Sequence, residues 1–279
     1  MASRNGPVVG IIGSPVGHSL TPVLQEAAFG ALGLGWSTAA FEVEAGGGAA
    51  AVEAMRALSI RGLSVTMPLK AEVARSVDRL DPAAASLDSV NCLSLESGEV
   101  VGLSTDGAGL LASLRREASM EPAGRRVLIM GAGGAARAVV DAFARAGAAS
   151  VAVLARRAEA AEACAALAGP AGRVASHEDA ADAEIIVNAT PIGMEGTTVH
   201  AVAPLVDPSS LGPGQLAVDL VYHPRRTAWL EQAVMSGAQG IGGLGMLVHQ
   251  AAIQIERWTG LEAPVEEMWA AAERALEAG

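Results

Sequence analysis

Nineteen residues of this chain are lysine or arginine, and only one of them, Lys70, is lysine. It closes the segment GLSVTMPLK, residues 62–70. Codon bias towards arginine could leave one lysine behind by chance. The chemical alternative is specific. Arginine stays protonated across the pH range of enzymes, whereas lysine can lose a proton when buried or set near other charge. A site that cycles a proton through a cation cannot accept the exchange. The segment places Lys70 just past a short apolar strand that ends at Thr66-Met67-Pro68, because proline stops strand pairing. Residues beyond strand ends are where α/β proteins collect their chemistry.

Other polar groups also stand at the ends of apolar segments. Ser19 and Thr21 follow the first apolar run, and Thr66 follows the third. Asn91 lies near a hairpin, and Asp106 closes the first α/β stretch. Tyr222, the one tyrosine, ends a late strand, and Gln250 interrupts the most apolar helix. Each has a plain structural explanation, such as a helix cap or a satisfied core carbonyl. As a set they provide hydroxyl, amide and carboxylate groups suited to a polyhydroxylated ring acid, with one cation. Beside a nicotinamide, Lys70 and Asp106 would form the proton-transfer pair.

A nucleotide signal lies in GAGGAA, residues 131–136. It has the G-x-G-x-x-A form, in which the first glycine turns the chain, the second admits a pyrophosphate and the alanine lets helix and sheet pack closely. An apolar strand precedes it and a helix follows, so the helix N-terminus faces the phosphates. The next strand ends in Ala155-Arg156-Arg157. An NAD site usually has an acidic residue there to hold the ribose hydroxyls. Arginine cannot accept a hydrogen bond but can grip a 2′-phosphate. The expected cofactor is therefore NADP, with no metal.

Two groups of elements must position these residues. Strands are expected over 7–13, 37–44 and 62–67, helices over 21–33 and 50–60, and a hairpin over 89–104 turning at Gly98. A helix over 105–118 follows. A second unit opens at 125–157 as strand, glycine turn, helix and strand, with more strands in 184–194 and 215–224. A helix over 227–239 follows, and the last forty residues read as helical, broken at WTGLEAP.

Composition sets the outer bounds. A length of 279 residues suits one large domain or two ordinary ones, and 51% hydrophobic residues can build substantial cores. A formal net charge of −11 disfavours nucleic acid and anionic membranes as partners. Cys92 and Cys164 have no metal spacing and read as buried free thiols. The N-terminus lacks the layout of a signal peptide, and no apolar run reaches the length of a membrane span. The expectation is a cytoplasmic protein with a small-molecule substrate.

The motifs GSPVGHSLTPVLQEAAF, GLSVTMPLK, DSVNCL, STDGAGL, GAGGAARA, NATPIGM, DLVYHP and GGLGMLVHQAA…WTG occur in the order and spacing of one family. Over nearly its whole length the chain resembles shikimate dehydrogenase. The resemblance implies an α/β substrate-binding domain over 1–106 and 248–279, rejoined by the C-terminal helices. It implies a Rossmann-type NADP domain over 107–247, and a monomer or homodimer. Ser19, Thr21 and Tyr222 would meet the substrate carboxylate. Thr66, Lys70, Asn91, Asp106 and Gln250 would meet the ring hydroxyls, with Lys70 and Asp106 catalytic. NADP would lie on Gly131, Ala132, Gly133, Gly134 and Ala135, with Arg156 at its 2′-phosphate, Thr190 nearby, and Leu220 and Gly243 at the nicotinamide end.

The implied reaction is the reversible reduction of 3-dehydroshikimate by NADPH, in the route to chorismate and the aromatic amino acids. A quinate or aminoshikimate dehydrogenase and a non-catalytic NADP-binding regulator are the alternatives. The chain departs from the family in Thr21 for the usual serine and in Ser64 and Ser104 for asparagines. Ala155-Arg156-Arg157 also replaces Asn-Arg-Thr.

Overall fold

The computed structural model describes residues 6–194 and 203–278. The chain divides into two compact units, Met1–Thr105 with Val248–Gly279, and Asp106–Leu247.

The first unit runs β1 (Val8–Gly13), α1 (Thr21–Ala31), β2 (Ser37–Glu42), α2 (Gly48–Ala57), β3 (Gly62–Val65), α3 (Lys70–Ala74), β4 (Arg79–Leu80), α4 (Pro82–Leu87), β5 (Cys92–Glu96) and β6 (Glu99–Leu103). The sheet order is β2-β1-β3-β5-β6-β4. β1 pairs parallel with β2 and β3, while β5 runs antiparallel to both β3 and β6. β3 is buried along its whole length, so its four residues read as a continuous apolar run broken only by Ser64.

The second unit runs α5 (Asp106–Ala118), β7 (Arg126–Met130), α6 (Gly134–Arg145), β8 (Ser150–Leu154), α7 (Ala158–Ala165), β9 (Gly172–Val174), β10 (Ile185–Asn188), β11 (Leu216–Asp219), α8 (Ala228–Met235) and β12 (Gln239–Ile241). Its sheet order is β12-β11-β10-β7-β8-β9, parallel throughout. Side chains of β7 alternate between two cores. Val127 and Ile129 join Leu110, Leu114 and Val139 on one face, and Leu128 and Met130 join Trp229 and Leu230 on the other. Numbered within this unit, the order is that of the doubly wound dinucleotide fold, reversing between β7 and β10.

The chain ends in α9 (Leu244–Thr259) and α10 (Val265–Ala278). α10 packs on α1, which returns the C-terminus to the first unit. Trp258 of α9 is fully buried and donates its indole N–H to the Leu93 carbonyl at 2.9 Å, while Arg61 Nε donates to the Trp258 carbonyl at 3.1 Å.

Two differences from the sequence reading have physical reasons. Asp106 begins α5, whose Leu110 and Leu114 share a core with α6, so it falls in the second unit rather than closing the first. The edge strands β4, β9 and β12 are only two or three residues long. That is too short for any alternation to show in sequence. Cys92 and Cys164 are buried free thiols.

Candidate active site

In the first unit the polar set gathers at one end of the sheet. Because β5 is antiparallel to its neighbours, its start lies beside the ends of β3 and β6. Asn91, just before β5, accepts at its carbonyl from Val65 N at 2.8 Å and donates its N–H to the Leu103 carbonyl at 3.0 Å. Thr66 donates its N–H to the Ile12 carbonyl at 2.9 Å, which holds it against the end of β1. Leu69 N then donates to the Thr66 carbonyl at 3.1 Å, closing the turn that delivers Lys70. Lys70 is half-buried at the start of α3, and its carbonyl accepts from Val90 N at 3.1 Å.

After β1, the Ser19 hydroxyl accepts from Thr21 N at 3.2 Å, and Thr21 is buried at the start of α1. Gln250 reaches the same sheet end from α9. Its Oε1 accepts from Asn91 Nδ2 at 3.2 Å, and its carbonyl accepts from the Thr105 hydroxyl at 3.1 Å. The structure therefore brings Asn91 and Gln250 into contact and sets Thr66, Lys70, Ser19 and Thr21 on adjoining loops of one unit. Asp106 and Tyr222 belong to the second unit. Tyr222 is half-buried, and burial pushes its phenol pKa above the usual value.

The second unit holds a cleft of about 540 Å³ at the reversal between β7 and β10. It is lined by Gly131, Ala132 and Gly133, by Ala155, Arg156 and Arg157, and by Thr190. Gly131 has φ +110°, and a Cβ there would stand 2.9 Å from the Ala189 carbonyl oxygen, so neither conformation nor space admits a side chain. Gly134 begins α6, so its first N–H groups point from the same turn, and Ala136 is fully buried against the sheet. Arg156 and Arg157 are both exposed at the cleft. Leu220 and Gly243 are in direct backbone contact, for a Cβ on Gly243 would fall 2.2 Å from the Leu220 carbonyl oxygen. The glycine turn, the helix start and a cationic strand end fit a phosphorylated dinucleotide. Among the described residues, no group of three or more His, Cys, Asp or Glu is arranged to hold a metal ion.

Two of the buried polar residues that sequence reasoning missed bear on the site. Asp219, fully buried at the end of β11, accepts from Asn188 Nδ2 and from Val221 N, each at 3.0 Å, and from the Thr227 hydroxyl. Burial pushes its carboxyl up to about 6, against the opposing pull of these donors. Asn188 in turn accepts at Oδ1 from Thr190 N at 3.1 Å and from the Thr190 hydroxyl at 2.6 Å. Gln254, one turn beyond Gln250 on α9, is the second. The signal for it was present, since two amides four apart in an apolar helix share a face.

A parallel sheet with a glycine turn at its switch point, joined to a second α/β unit with a polar sheet end, defines a dinucleotide-dependent oxidoreductase of two domains. The description "Shikimate dehydrogenase substrate binding domain" matches residues 11–93. "Shikimate 5'-dehydrogenase C-terminal domain" matches 243–273, and "NADP oxidoreductase coenzyme F420-dependent" matches 126–220. The chain is 40% identical over 271 residues to a shikimate dehydrogenase (NADP(+)) of Methanopyrus kandleri, covering 94% of this chain and 93% of the relative. A solved shikimate dehydrogenase in complex with NADP+ superposes with a TM-score of 0.92 at 34% identity, over 99% of this chain and 98% of that one. The Thermus thermophilus shikimate 5-dehydrogenase in complex with NADP(H) and shikimate gives a TM-score of 0.89 at 33% identity, over 96% and 99%. The chain belongs to the shikimate dehydrogenase family.

Proposed function

We propose that this protein is an NADP-dependent shikimate dehydrogenase, reducing 3-dehydroshikimate to shikimate and running in reverse under product excess. The observation that carries this reading is similarity to relatives of that activity over 94% of this chain, together with the presence of Lys70 in GLSVTMPLK and Asp106 in STDGAGL. Gly131–Ala135 and Thr190, with Leu220 and Gly243, would hold NADPH, which would supply the hydride when bound. Arg156 would give the 2′-phosphate a charge-assisted partner, a role that an acidic residue at that strand end could not fill.

Lys70 gives a proton to the ring oxygen as negative charge develops there, and takes one back in the oxidation direction. Asp106 is its partner in the pair. Ser19, Thr21 and Tyr222 bind the substrate carboxylate through hydroxyl donors, and Thr66, Asn91 and Gln250 bind ring hydroxyls. The substrate is a small molecule, and we place the reaction in the cytoplasm. No helix among the described residues is long and apolar enough to cross a membrane. A spectrophotometric assay crossing shikimate and quinate with NADP and NAD tests the proposal. Turnover led by shikimate with NADP is expected, and cofactor binding without turnover on either acid would overturn it.

A further inference from the structure

Three amides meet behind the polar sheet end of the first unit, and two backbone groups fix how each is turned. The Asn91 carbonyl can only accept, and Gln254 Nε2 donates to it at 3.3 Å. The Thr105 backbone N–H can only donate, and it gives to Asn91 Oδ1 at 2.7 Å. With those ends set, Gln254 Nε2 donates to Gln250 Oε1 at 2.7 Å, and Asn91 Nδ2 donates to the same oxygen at 3.2 Å. The carbonyl end of the Gln250 amide is thus held by two donors. The opposite end is an NH₂ group, which can only donate.

The far end of Gln254 is held as well. Gln25 Nε2 is oriented by the Gly10 carbonyl at 3.5 Å and donates to the Ser64 hydroxyl at 3.3 Å. The Thr38 hydroxyl donates to Gln25 Oε1. Ser64 therefore accepts from Gln25 and passes its own proton to Gln254 Oε1 at 2.5 Å. Gln25 and Gln254 are each 1% exposed and Ser64 5%. A flipped Gln254 would set its oxygen against the Asn91 carbonyl and Gln250 Oε1 while turning its NH₂ towards Ser64. Two buried acceptors would lose a donor, and such losses are costly away from water.

We infer that Gln254, locked by Ser64, is a positioning residue that makes Gln250 a donor-only contact and so selects a ring hydroxyl over a ring ammonium in the substrate. The inference rests on the reading of Gln250 as a ring-hydroxyl contact. A hydroxyl oxygen has lone pairs to receive the Gln250 N–H, whereas an ammonium has three donors and no acceptor. The ammonium meets the glutamine donor to donor. Serine at position 64 supplies the proton that Gln254 Oε1 takes.

The test compares wild type with Gln254→Met, which keeps length without a donor, and Ser64→Ala, which removes only the lock. Dissociation constants are measured by calorimetry for shikimate and for analogues in which one ring hydroxyl at a time is an amine. The urea unfolding midpoint and the far-UV circular dichroism of the same preparations report folding. At one ring position the preference for hydroxyl over amine is expected to fall about tenfold in Gln254→Met, equivalent to roughly 1.4 kcal/mol. It is expected to fall less, in the same direction, in Ser64→Ala. A merely structural role would weaken hydroxyl and amine ligands alike, so an equal loss overturns the inference, as does an unchanged preference at every position. If one variant fails to fold, the other decides. Wild type that binds no shikimate overturns the shikimate reading itself, whereas normal wild-type binding with unmoved ratios overturns this inference alone.

Discussion

Asn188 and Asp219 stand opposite each other on neighbouring parallel strands and are joined side chain to side chain, Asn188 Nδ2 donating to Asp219 Oδ1 at 3.0 Å. The pair joins the ends of β10 and β11. Asn188 fixes the turn that carries Thr190, and Asp219 fixes the turn into Val221 and, through Thr227, the first turn of α8. Both strand ends belong to the same side of the sheet as the glycine turn, so one buried carboxylate sets the shape of two loops proposed to hold cofactor.

That carboxylate gives stability a pH dependence of definite sign. Its folded pKa, about 6, lies above the ordinary 3.8, so the folded state holds the proton more tightly than the unfolded chain. The stabilising contribution is complete below the ordinary value and is lost as pH rises through the folded one. By the shift, which already includes the opposing pull of the three donors, its full size is about 3 kcal/mol. Asp219→Asn cannot ionise. Urea unfolding at intervals from pH 4 to 7 is expected to show the wild type losing stability relative to this variant as pH rises. Parallel curves would mean that Asp219 does not titrate in this window.

Arg156 is expected to decide the cofactor. It and Arg157 flank a cleft whose strand end carries no carboxylate. Arg156→Ala is expected to weaken NADP by roughly 1.5–3 kcal/mol, the range of a charge-assisted contact, with little effect on NAD. Equal weakening of both, measured by fluorescence titration, would make Arg156 structural and move attention to Arg157.

What could be read in advance was whatever repeats or punctuates. The glycine turn and the apolar parallel strands were legible because strand, turn and helix follow one another in GAGGAA and its flanks, whereas the return of the last helices was implied only by the family resemblance. The polar residues at strand ends stood out because they interrupt apolar runs. Asp219 was not recognised, although it too interrupts one, because LAVDLV reads equally well as a strand ending in a turn. What distinguishes it is its neighbour across the sheet, Asn188, thirty-one residues earlier. Gln254 was hidden similarly. Its partners Ser64, Asn91 and Thr105 come from three distant segments, and only folding brings them within reach.

Thr21 carries the clearest departure in the proposed carboxylate pocket. It is buried at 4% exposure, so its extra methyl occupies packed space rather than solvent. Thr21→Ser keeps the hydroxyl, and shikimate activity is expected to survive while the shikimate-to-quinate ratio of kcat/KM moves. Thr21→Val keeps the shape without the hydroxyl and is expected to raise KM for shikimate. A constant ratio in the first variant would remove the methyl as a specificity element, and a constant KM in the second would remove the hydroxyl as a carboxylate contact.

Lys70 supplies the sharpest test of mechanism. The nucleotide cleft is built wholly from the other unit. Lys70→Ala is therefore expected to leave NADP binding nearly intact while lowering kcat by about 10²–10⁴, the usual worth of a positioned proton-transfer group. Lys70→Arg separates charge from proton transfer. It keeps the cation and much of the length, so a purely electrostatic role would tolerate it. A guanidinium does not release its proton in this pH range, so a shuttling role would not. The arginine variant is expected to be at least about tenfold slower at neutral pH, roughly 1.4 kcal/mol in the barrier. Misplacement of the bulkier fork could slow it equally, so the rate does not decide between the two roles. The deciding measurement is kcat against pH for shikimate oxidation. With Lys70 as proton carrier, kcat of the wild type is expected to rise with pH on the acid side, and the arginine variant is expected to lose that dependence. An arginine enzyme with wild-type turnover and the same pH dependence would leave Lys70 its charge and shape but not the proton, which a ring hydroxyl or water would then have to carry.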